Sequence, residues 1–273
     1  MTRVDWVPIV AEAAGIVRSY ETGVTLRQLF YRLVAAQLLP NTSSAYKSLS
    51  SKTAEARRSG DFPDLIDRGR TIHRRAHWDS PADALESLAG QYRLDRTAGQ
   101  DVSVFIGVEK AGLVMQLESW FAELGIPIIA LSGYSSQTFV DEVAAEVAAL
   151  ERPAVLLYGG DFDPSGEDID RDFVARSGCW DKVVRVALTA EQVTAYNLPP
   201  AMGKTTDSRA GAFVARHGHL VQVELDALPP DVLHRLYREA LEEFWDVSAF
   251  EAVRAREAAD IEVLWRAAGG AGT

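Results

Sequence analysis

The sequence contains a single cysteine, Cys179, among its 273 residues. One thiol cannot form an intramolecular disulfide or a cysteine-based zinc cluster, so we expect a protein of a reducing cytoplasm. No apolar run is long enough to span a bilayer, and the N-terminus lacks the apolar stretch of a signal peptide. These absences exclude disulfide-stapled secreted domains and membrane-spanning proteins, and we expect no membrane partner.

The chain also lacks an overall excess of basic residues, since its formal net charge is −11. The charge is unevenly distributed, however. Residues 1–100 hold 14 Lys and Arg against 11 Asp and Glu, whereas the remaining residues hold 14 against 28. This asymmetry favours a first part that faces DNA and an acidic second part whose carboxylates need a cation before a phosphate can approach.

Short apolar runs alternate with helical stretches from residue 102 onwards, which is typical of a doubly wound α/β sheet. The predicted strands span residues 102–108, 127–131, 154–158 and 183–186, with a late strand at 221–226. The helices between them are predicted near 113–124, 137–150 and 167–176, and amphipathic helices near 230–265. We therefore predict an α/β chain with two domains, a helical one at 1–98 and a sheet domain with a helical extension at 99–273.

Three acidic residues follow the ends of predicted strands. Glu109 comes directly after the first strand, and Gly159-Gly160 leads from the third strand to Asp161 and Asp163. Ligands of parallel sheets bind outside the carboxyl ends of the strands, so we expect the three carboxylates to converge there. An oxygen-rich site suits a hard cation, Mg²⁺ or alternatively Mn²⁺. Taken alone, Glu109 would equally be a solvated loop acid.

The residues after the two aspartates have the pattern of a helix start. We predict Ser165 as the N-cap, with Asp168 closing a capping box. On this interpretation Asp161 and Asp163 precede the cap, and capping would not account for them.

A helix is predicted to begin after Thr25, where Gln28 completes a capping box. Its apolar stripe consists of Leu26, Leu29, Phe30 and Leu33. Arg27 and Tyr31 lie one turn apart outside this stripe, so Tyr31 is presented on a flank of the helix with a guanidinium group beside it. Helix geometry alone favours a packed aromatic ring there, with only its hydroxyl in water.

A second helix is predicted from about residue 43 to the residues before Gly60, a natural C-terminal stop. Its outer face carries the candidate DNA contacts Lys47, Lys52, Arg57 and Arg58. Two short helices followed by a Gly/Pro segment suit a winged helix-turn-helix that binds double-stranded DNA. The alternative is an ordinary solvated helix. Lys204 and Arg209 are further candidates for phosphate contacts, with a plain surface loop as the alternative.

These motifs resemble a known family when they are taken together. Glu109 after a first strand, with Asp161-Phe162-Asp163 after the third, resembles the Toprim domain of topoisomerases, primases and related nucleases. The segment Thr25–Tyr31 resembles the tyrosine motif of the topoisomerase VI A subunit and of the meiotic double-strand-break transesterase. The resemblance covers most of the chain. It implies a winged-helix domain that carries the tyrosine, followed by a Rossmann-like Toprim domain.

The resemblance also implies a mechanism. Tyr31 would be the nucleophile that forms a 5′-phosphotyrosyl link, Arg27 would place the scissile phosphate, and Mg²⁺ would be held by Glu109, Asp161 and Asp163. Members act as homodimers in which the tyrosine of one protomer meets the metal of the other. We accordingly expect a nucleoid-associated homodimer.

Two departures from the family are visible. Phe30 stands where the family has a first tyrosine, and no ATPase segment is present. The chain thus resembles the compact mini-A form, and a separate ATPase B-type subunit remains a candidate partner. Two other functions stay open: a hydrolytic Toprim nuclease of a defence or mobile-element system, and a DNA-binding structural protein whose metal site is vestigial.

Overall fold

The computed structural model describes residues 5–20, 23–66, 75–200 and 209–270, and within them the protein is a mixed α/β chain with one parallel sheet. The first helices are α1 (Trp6–Arg18), α2 (Leu26–Ala35), α3 (Ser43–Arg58) and α4 (Pro81–Gln91). The sheet region follows with β1 (Ser103–Val108), α5 (Val114–Phe121), β2 (Ile128–Ala130), α6 (Gln137–Ala149), β3 (Ala154–Gly159), α7 (Pro164–Ser177) and β4 (Lys182–Ala187). The last helices are α8 (Ala190–Ala195), α9 (Ala210–His217), α10 (Pro230–Glu242) and α11 (Val247–Gly270).

The N-terminal helices begin where local capping chemistry places them. The predicted capping box at the start of α2 is confirmed, because Thr25 accepts from the Gln28 backbone and the Gln28 side chain accepts from the Thr25 backbone. Thr42 caps α3 by accepting from Ala45, and Gly60 follows its end with a φ of +83°. A left-handed residue after the last turn is the usual role of glycine.

The packed arrangement favoured for the Tyr31 ring is confirmed. Leu29, Phe30 and Leu33 are buried as predicted, and Tyr31 is buried with them, at 7% exposed. Its ring packs edge-on against Phe30, with a centroid separation of 5.5 Å. Helical spacing identified one buried stripe correctly but did not show that other parts of the chain cover the flank beside it.

The sheet has the strand order β2-β1-β3-β4, with every pair parallel. Side chains of β1 alternate between its faces. Val104 and Ile106 join a core with α5 and α10, whereas Phe105 joins Leu156 and Tyr158 in a second core with α6 and α7. Burial on both faces is the reason that these strands are continuous apolar runs in the sequence.

Two sequence predictions in this region are wrong. The cap of α7 is Asp163, not Ser165, since Asp163 accepts from the backbone N–H of Gly166 at 2.7 Å. Pro164 then takes the first helical position, where its missing N–H is no loss. The late strand is reduced to one antiparallel bridge between Phe162 and Val223, because the chain beside it is a loop and not a strand.

The apolar core that covers one face of the sheet continues into the N-terminal helices. Helix α2 packs against the short 3-10 helix Leu225–Ala227, and α11 packs along α4. Of the helices in the described ranges, none combines the length and apolar character needed to cross a membrane. The position of α2 against the 3-10 helix brings the two predicted motifs towards each other.

Candidate functional site

The carboxyl ends of β1 and β3 bring Glu109 and Asp161 together, because these two strands are hydrogen-bonded neighbours. The Glu109 Oε2 atom accepts a hydrogen bond from the backbone N–H of Asp161 at 2.8 Å. The start of α7 lies against the same place: a Cβ at Gly166 would collide with the Asp161 carbonyl oxygen and lie 3.1 Å from the Glu109 carboxylate. Glycine at this position is therefore required by close approach.

Asp161 is held from several sides, and the residue is only 7% exposed. Its Oδ1 accepts from the Leu225 backbone at 2.7 Å, and its Oδ2 lies 3.0 Å from the Lys110 ammonium group. Arg185 donates to its carbonyl oxygen at 2.7 Å. The first two contacts orient the carboxylate, and the Arg185 contact holds the backbone at this residue.

Three residues of the site were missed by sequence reasoning: Lys110, Glu224 and Asp226. The Lys110 Nζ atom lies 2.9 Å from Glu224 Oε2 and 3.6 Å from Asp226 Oδ2, besides its contact with Asp161. The two acids are distant in sequence, and their i, i+2 spacing resembled the solvated face of a strand. That spacing was the signal available, but it did not identify a partner.

Arg27 connects the tyrosine helix to this acidic cluster. Its guanidinium forms ion pairs with Glu224 and with Asp226, the latter at 3.2 Å, and lies 5.8 Å from the centre of the Tyr31 ring. Arg27 thus joins the tyrosine helix to Glu224 and Asp226, and Lys110 links those two acids to Asp161 of the predicted acidic motif.

Tyr31 borders a cavity of about 360 Å³. The walls are formed by α2, by the start of α3 and by the loop that carries Glu224; the lining residues are Arg27, Phe30, Tyr31, Asn41, Thr42, Ser43, Tyr46, Lys47 and Glu224. Burial raises the pKa of Tyr31 above its usual value, and the Arg27 guanidinium offsets only part of that effect. The hydroxyl is therefore a neutral donor at physiological pH.

The basic residues predicted to contact DNA have different surroundings. Lys47 lines the Tyr31 cavity, whereas Lys52 pairs with Glu55 at 2.8 Å. Arg57 donates to the Thr53 carbonyl of its own helix, and Arg58 belongs to the same last turn of α3.

Arg209 is placed beside α7, where it donates to Ser165 Oγ at 3.0 Å and contacts Tyr134 and Asp168. Lys204 lies outside the described residues. The structure thus brings Arg27 and Lys47 to the tyrosine, while Arg209 is held at the start of the helix that Asp163 caps.

Negative charge in the acidic cluster is incompletely balanced. Burial, followed by the charge of Asp161, raises the pKa of Glu109 to about 7. Burial also raises the pKa of Asp163, although the Gly166 N–H offsets part of the shift. Buried carboxylates that raise each other's pKa are frequent at functional sites.

The donor chemistry of Glu109, Asp161 and Asp163 fits a hard cation, since all the donors are carboxylate oxygens. Their arrangement is less complete. Within the described ranges, no three His, Cys, Asp or Glu side chains are grouped so as to hold one metal ion together. The Lys110 ammonium already contacts Asp161, so a cation would compete with it for that carboxylate.

No protein family model matches this chain, and no characterised protein is significantly similar to it. Its function is therefore inferred from the chemistry of the site and from the resemblance of its motifs.

Proposed function

We propose that this protein is a metal-dependent DNA-cleaving transesterase of the topoisomerase VI A type, with a winged-helix and a Toprim domain. The observation that supports this best is the position of Arg27. It lies over the Tyr31 ring and pairs with Glu224 and Asp226, which share Lys110 with Asp161. A tyrosine, a guanidinium and a cluster of carboxylates in one place suit phosphoryl transfer.

In the proposed reaction the Tyr31 oxygen attacks a DNA phosphorus atom. The bond between phosphorus and the 3′ oxygen breaks, the phenolic proton is released, and the 3′ oxygen leaves as a hydroxyl after taking up a proton. The product is a 5′-phosphotyrosyl link. Arg27 neutralises the phosphate before the attack.

Glu109, Asp161 and Asp163 would hold Mg²⁺ or Mn²⁺ in this mechanism. A bound divalent cation would supply positive charge for the phosphate and leaving oxygens. The chain's own contribution is to hold Asp161 in one orientation through Leu225, Lys110 and Arg185.

The proposal includes a homodimer, because two tyrosines are needed to cut both strands of double-stranded DNA. An ATPase B-type subunit is a candidate partner for coupling cleavage to strand passage. Such an enzyme would work in the cytoplasm, associated with the nucleoid.

The test is a supercoiled-plasmid assay in Mg²⁺ or Mn²⁺, stopped with detergent, that measures protein linked to 5′ ends. Tyr31→Phe removes the nucleophile, and Asp161→Asn removes one negative charge from the site. Each is expected to lower the yield of linked DNA by at least about 100-fold. Tyr46→Phe is the matched control, because Tyr46 lines the same cavity, and it should retain linkage.

A second candidate function is a hydrolytic nuclease, in which water replaces the tyrosine. The burial of Tyr31 and its raised pKa favour this reading, since a buried neutral phenol is a poor nucleophile. Cleavage that survives Tyr31→Phe, needs Asp161 and leaves free ends would establish it. DNA binding without cutting in either metal would instead indicate a structural protein, in which Lys110 balances the vestigial acids.

A further inference from the structure

A cavity of about 450 Å³ lies between the end of α1, the middle of α2, α5 and the start of α10. Arg32, Trp120, Asp231 and His234 are among its lining residues, and we call it the Arg32 cavity. Among the described residues, it has no lining residue in common with the cavity beside Tyr31. Its volume lies in the range of small-molecule sites.

The guanidinium group of Arg32 has a buried donor that the protein leaves unused. Its Nε atom is buried and has no acceptor among the described residues, and the side chain forms no ion pair with any of them. A buried donor without an acceptor lowers stability, and the penalty is larger for a charged group. An anionic oxygen in the cavity would satisfy this donor and balance its charge.

Tyr20 adds a second donor beside Arg32. The residue is half-buried and lines the same cavity. Burial raises the pKa of its hydroxyl, and the neighbouring Arg32 guanidinium offsets part of the shift. The hydroxyl therefore stays protonated at physiological pH and can donate to an anion that Arg32 also binds.

Trp120 and His234 form a flat aromatic wall of the cavity. Their rings are stacked, with a centroid separation of 4.8 Å and an angle of 16° between the planes. Burial, followed by the charge of Arg238, lowers the pKa of His234, so its ring is neutral at physiological pH. An uncharged aromatic surface favours a ligand with a planar ring over a bare ion.

Asp231 places a negative charge at the edge of the same cavity. It is exposed in the first turn of α10 and forms no ion pair with any residue that the structure describes. Since a carboxylate accepts hydrogen bonds and cannot donate them, it favours hydroxyl groups on a ligand. The walls together thus suit a molecule that combines an anionic group, a planar ring and neutral donors, which is the chemistry of a nucleotide.

We propose that the Arg32 cavity is a binding site for a nucleoside monophosphate. Arg32 and Tyr20 hold the phosphate, the base packs against Trp120 and His234, and Asp231 accepts hydrogen bonds from the ribose hydroxyls. The site goes beyond the proposed DNA cleavage, because it takes a free small molecule at residues that have no part in that reaction.

The first test is isothermal titration calorimetry of the full chain, in EDTA and without DNA, with each of the four ribonucleoside 5′-monophosphates. At least one should bind with a Kd below about 1 mM. The matching nucleoside and inorganic phosphate should each bind at least about tenfold more weakly, because each lacks one half of the contacts. No binding of any of the four, or equally tight binding of inorganic phosphate alone, would overturn the proposal.

The chain offers a matched pair of arginines for the second test. Arg32→Met keeps the length of the side chain but removes its charge and donors, so it should weaken nucleotide binding by at least about tenfold. Arg256→Met is the control, because Arg256 is exposed on α11 and does not line the cavity, and it should leave the Kd unchanged. Circular dichroism checks that both variants are folded. Equal losses of affinity in the two variants would contradict the assignment of Arg32.

The ribose contact is tested by pairing a variant with a modified ligand. The 2′,3′-dideoxy form of the best-binding nucleotide should bind the wild type about tenfold more weakly than the ribonucleotide, whereas Asp231→Ala should bind the two alike. The same preference in both proteins would overturn the role of Asp231. None of these measurements uses DNA or a metal ion, so their outcome is independent of whether the protein cleaves DNA.

Discussion

Two clusters of buried charge in this chain have opposite electrostatic balance. In the first, Arg96 forms a two-point ion pair with Glu257, at 2.6 and 3.1 Å, and a further pair with Glu123 at 2.7 Å. The Arg96 hydrogen bonds lower the pKa of Glu257. In the second, around Glu109 and Asp161, burial and like charge raise the pKa of Glu109 to about 7.

The difference separates a structural cluster from a candidate functional one. Arg96 precedes β1 and Glu257 lies in α11, so their pair joins the linker after α4 to the C-terminal helix. Its charges are matched within the protein. The acidic cluster keeps negative charge that the protein does not balance, which lowers stability and leaves capacity for a ligand.

The largest expected effect is the loss of stability when the ion pair between Arg96 and Glu257 is broken. Glu257→Ala leaves the Arg96 guanidinium buried with an exposed glutamate as its remaining acidic partner, so it should lower the free energy of unfolding by about 3–5 kcal/mol. Urea denaturation measures the loss. Glu123→Ala is the control, because the Glu123 side chain is 71% exposed and its removal should cost less than about 1 kcal/mol. Similar losses in the two variants would contradict the assignment of Glu257 as the structural partner.

The second effect concerns how the free energy of unfolding depends on pH. The two clusters should change this free energy in opposite directions as the pH rises. The folded-state pKa of Glu109, about 7, exceeds its ordinary value of 4.5, so the folded protein binds this proton more tightly. The stability that the bound proton of Glu109 contributes is fully present below pH 4.5 and is lost as the pH rises through 7. Between pH 5 and pH 8 in EDTA the loss is about 2–3 kcal/mol.

Glu109→Gln should remove this part of the pH dependence, measured by urea denaturation at both pH values. The Glu257 carboxyl, whose pKa is lowered, contributes in the opposite direction and loses its stability as the pH falls. Identical changes from pH 5 to pH 8 in wild type and Glu109→Gln would show that the pKa of Glu109 is not raised in the folded protein.

The smallest effect is that of Mg²⁺ on thermal stability. At ten times its Kd, Mg²⁺ should stabilise the wild type at pH 8 by about 1.4 kcal/mol, measured as a rise in Tm over EDTA. Lys110→Ala should increase the shift, because the competing ammonium is gone, and Asp161→Asn should abolish it. Lys182→Ala, which removes an exposed lysine paired with Glu243, is the control. No shift in either wild type or Lys110→Ala would exclude the metal site.

Structural elements that depend only on a few neighbouring residues were predicted well. The capping box of α2 and the strands of the sheet are confirmed to within one residue at most ends, because capping chemistry and continuous apolar runs act over a few residues. The proximity of Glu109 and Asp161 also followed from the sequence, since neighbouring parallel strands end at the same edge of a sheet.

Features that depend on packing between distant segments were not predicted. The cap of α7 was misplaced because Asp163 and Ser165 are both good caps, and the path of the chain after β3 selected Asp163. Helix geometry placed Tyr31 on a flank beside Arg27, but it contains no information about which segments cover that flank. Lys110 had no visible partner, because Glu224 and Asp226 are more than a hundred residues away in sequence.

The sequence by itself determined the sheet, the tyrosine helix and the chemical types at the site, since each depends on periodicity, caps and residue identity within short windows. Only the tertiary structure decided that Arg27 contacts Glu224 and Asp226 and that Tyr31 lines a cavity beside the start of α3. These contacts join segments that are distant along the chain. Their geometry follows from how the whole core packs, which no local pattern encodes.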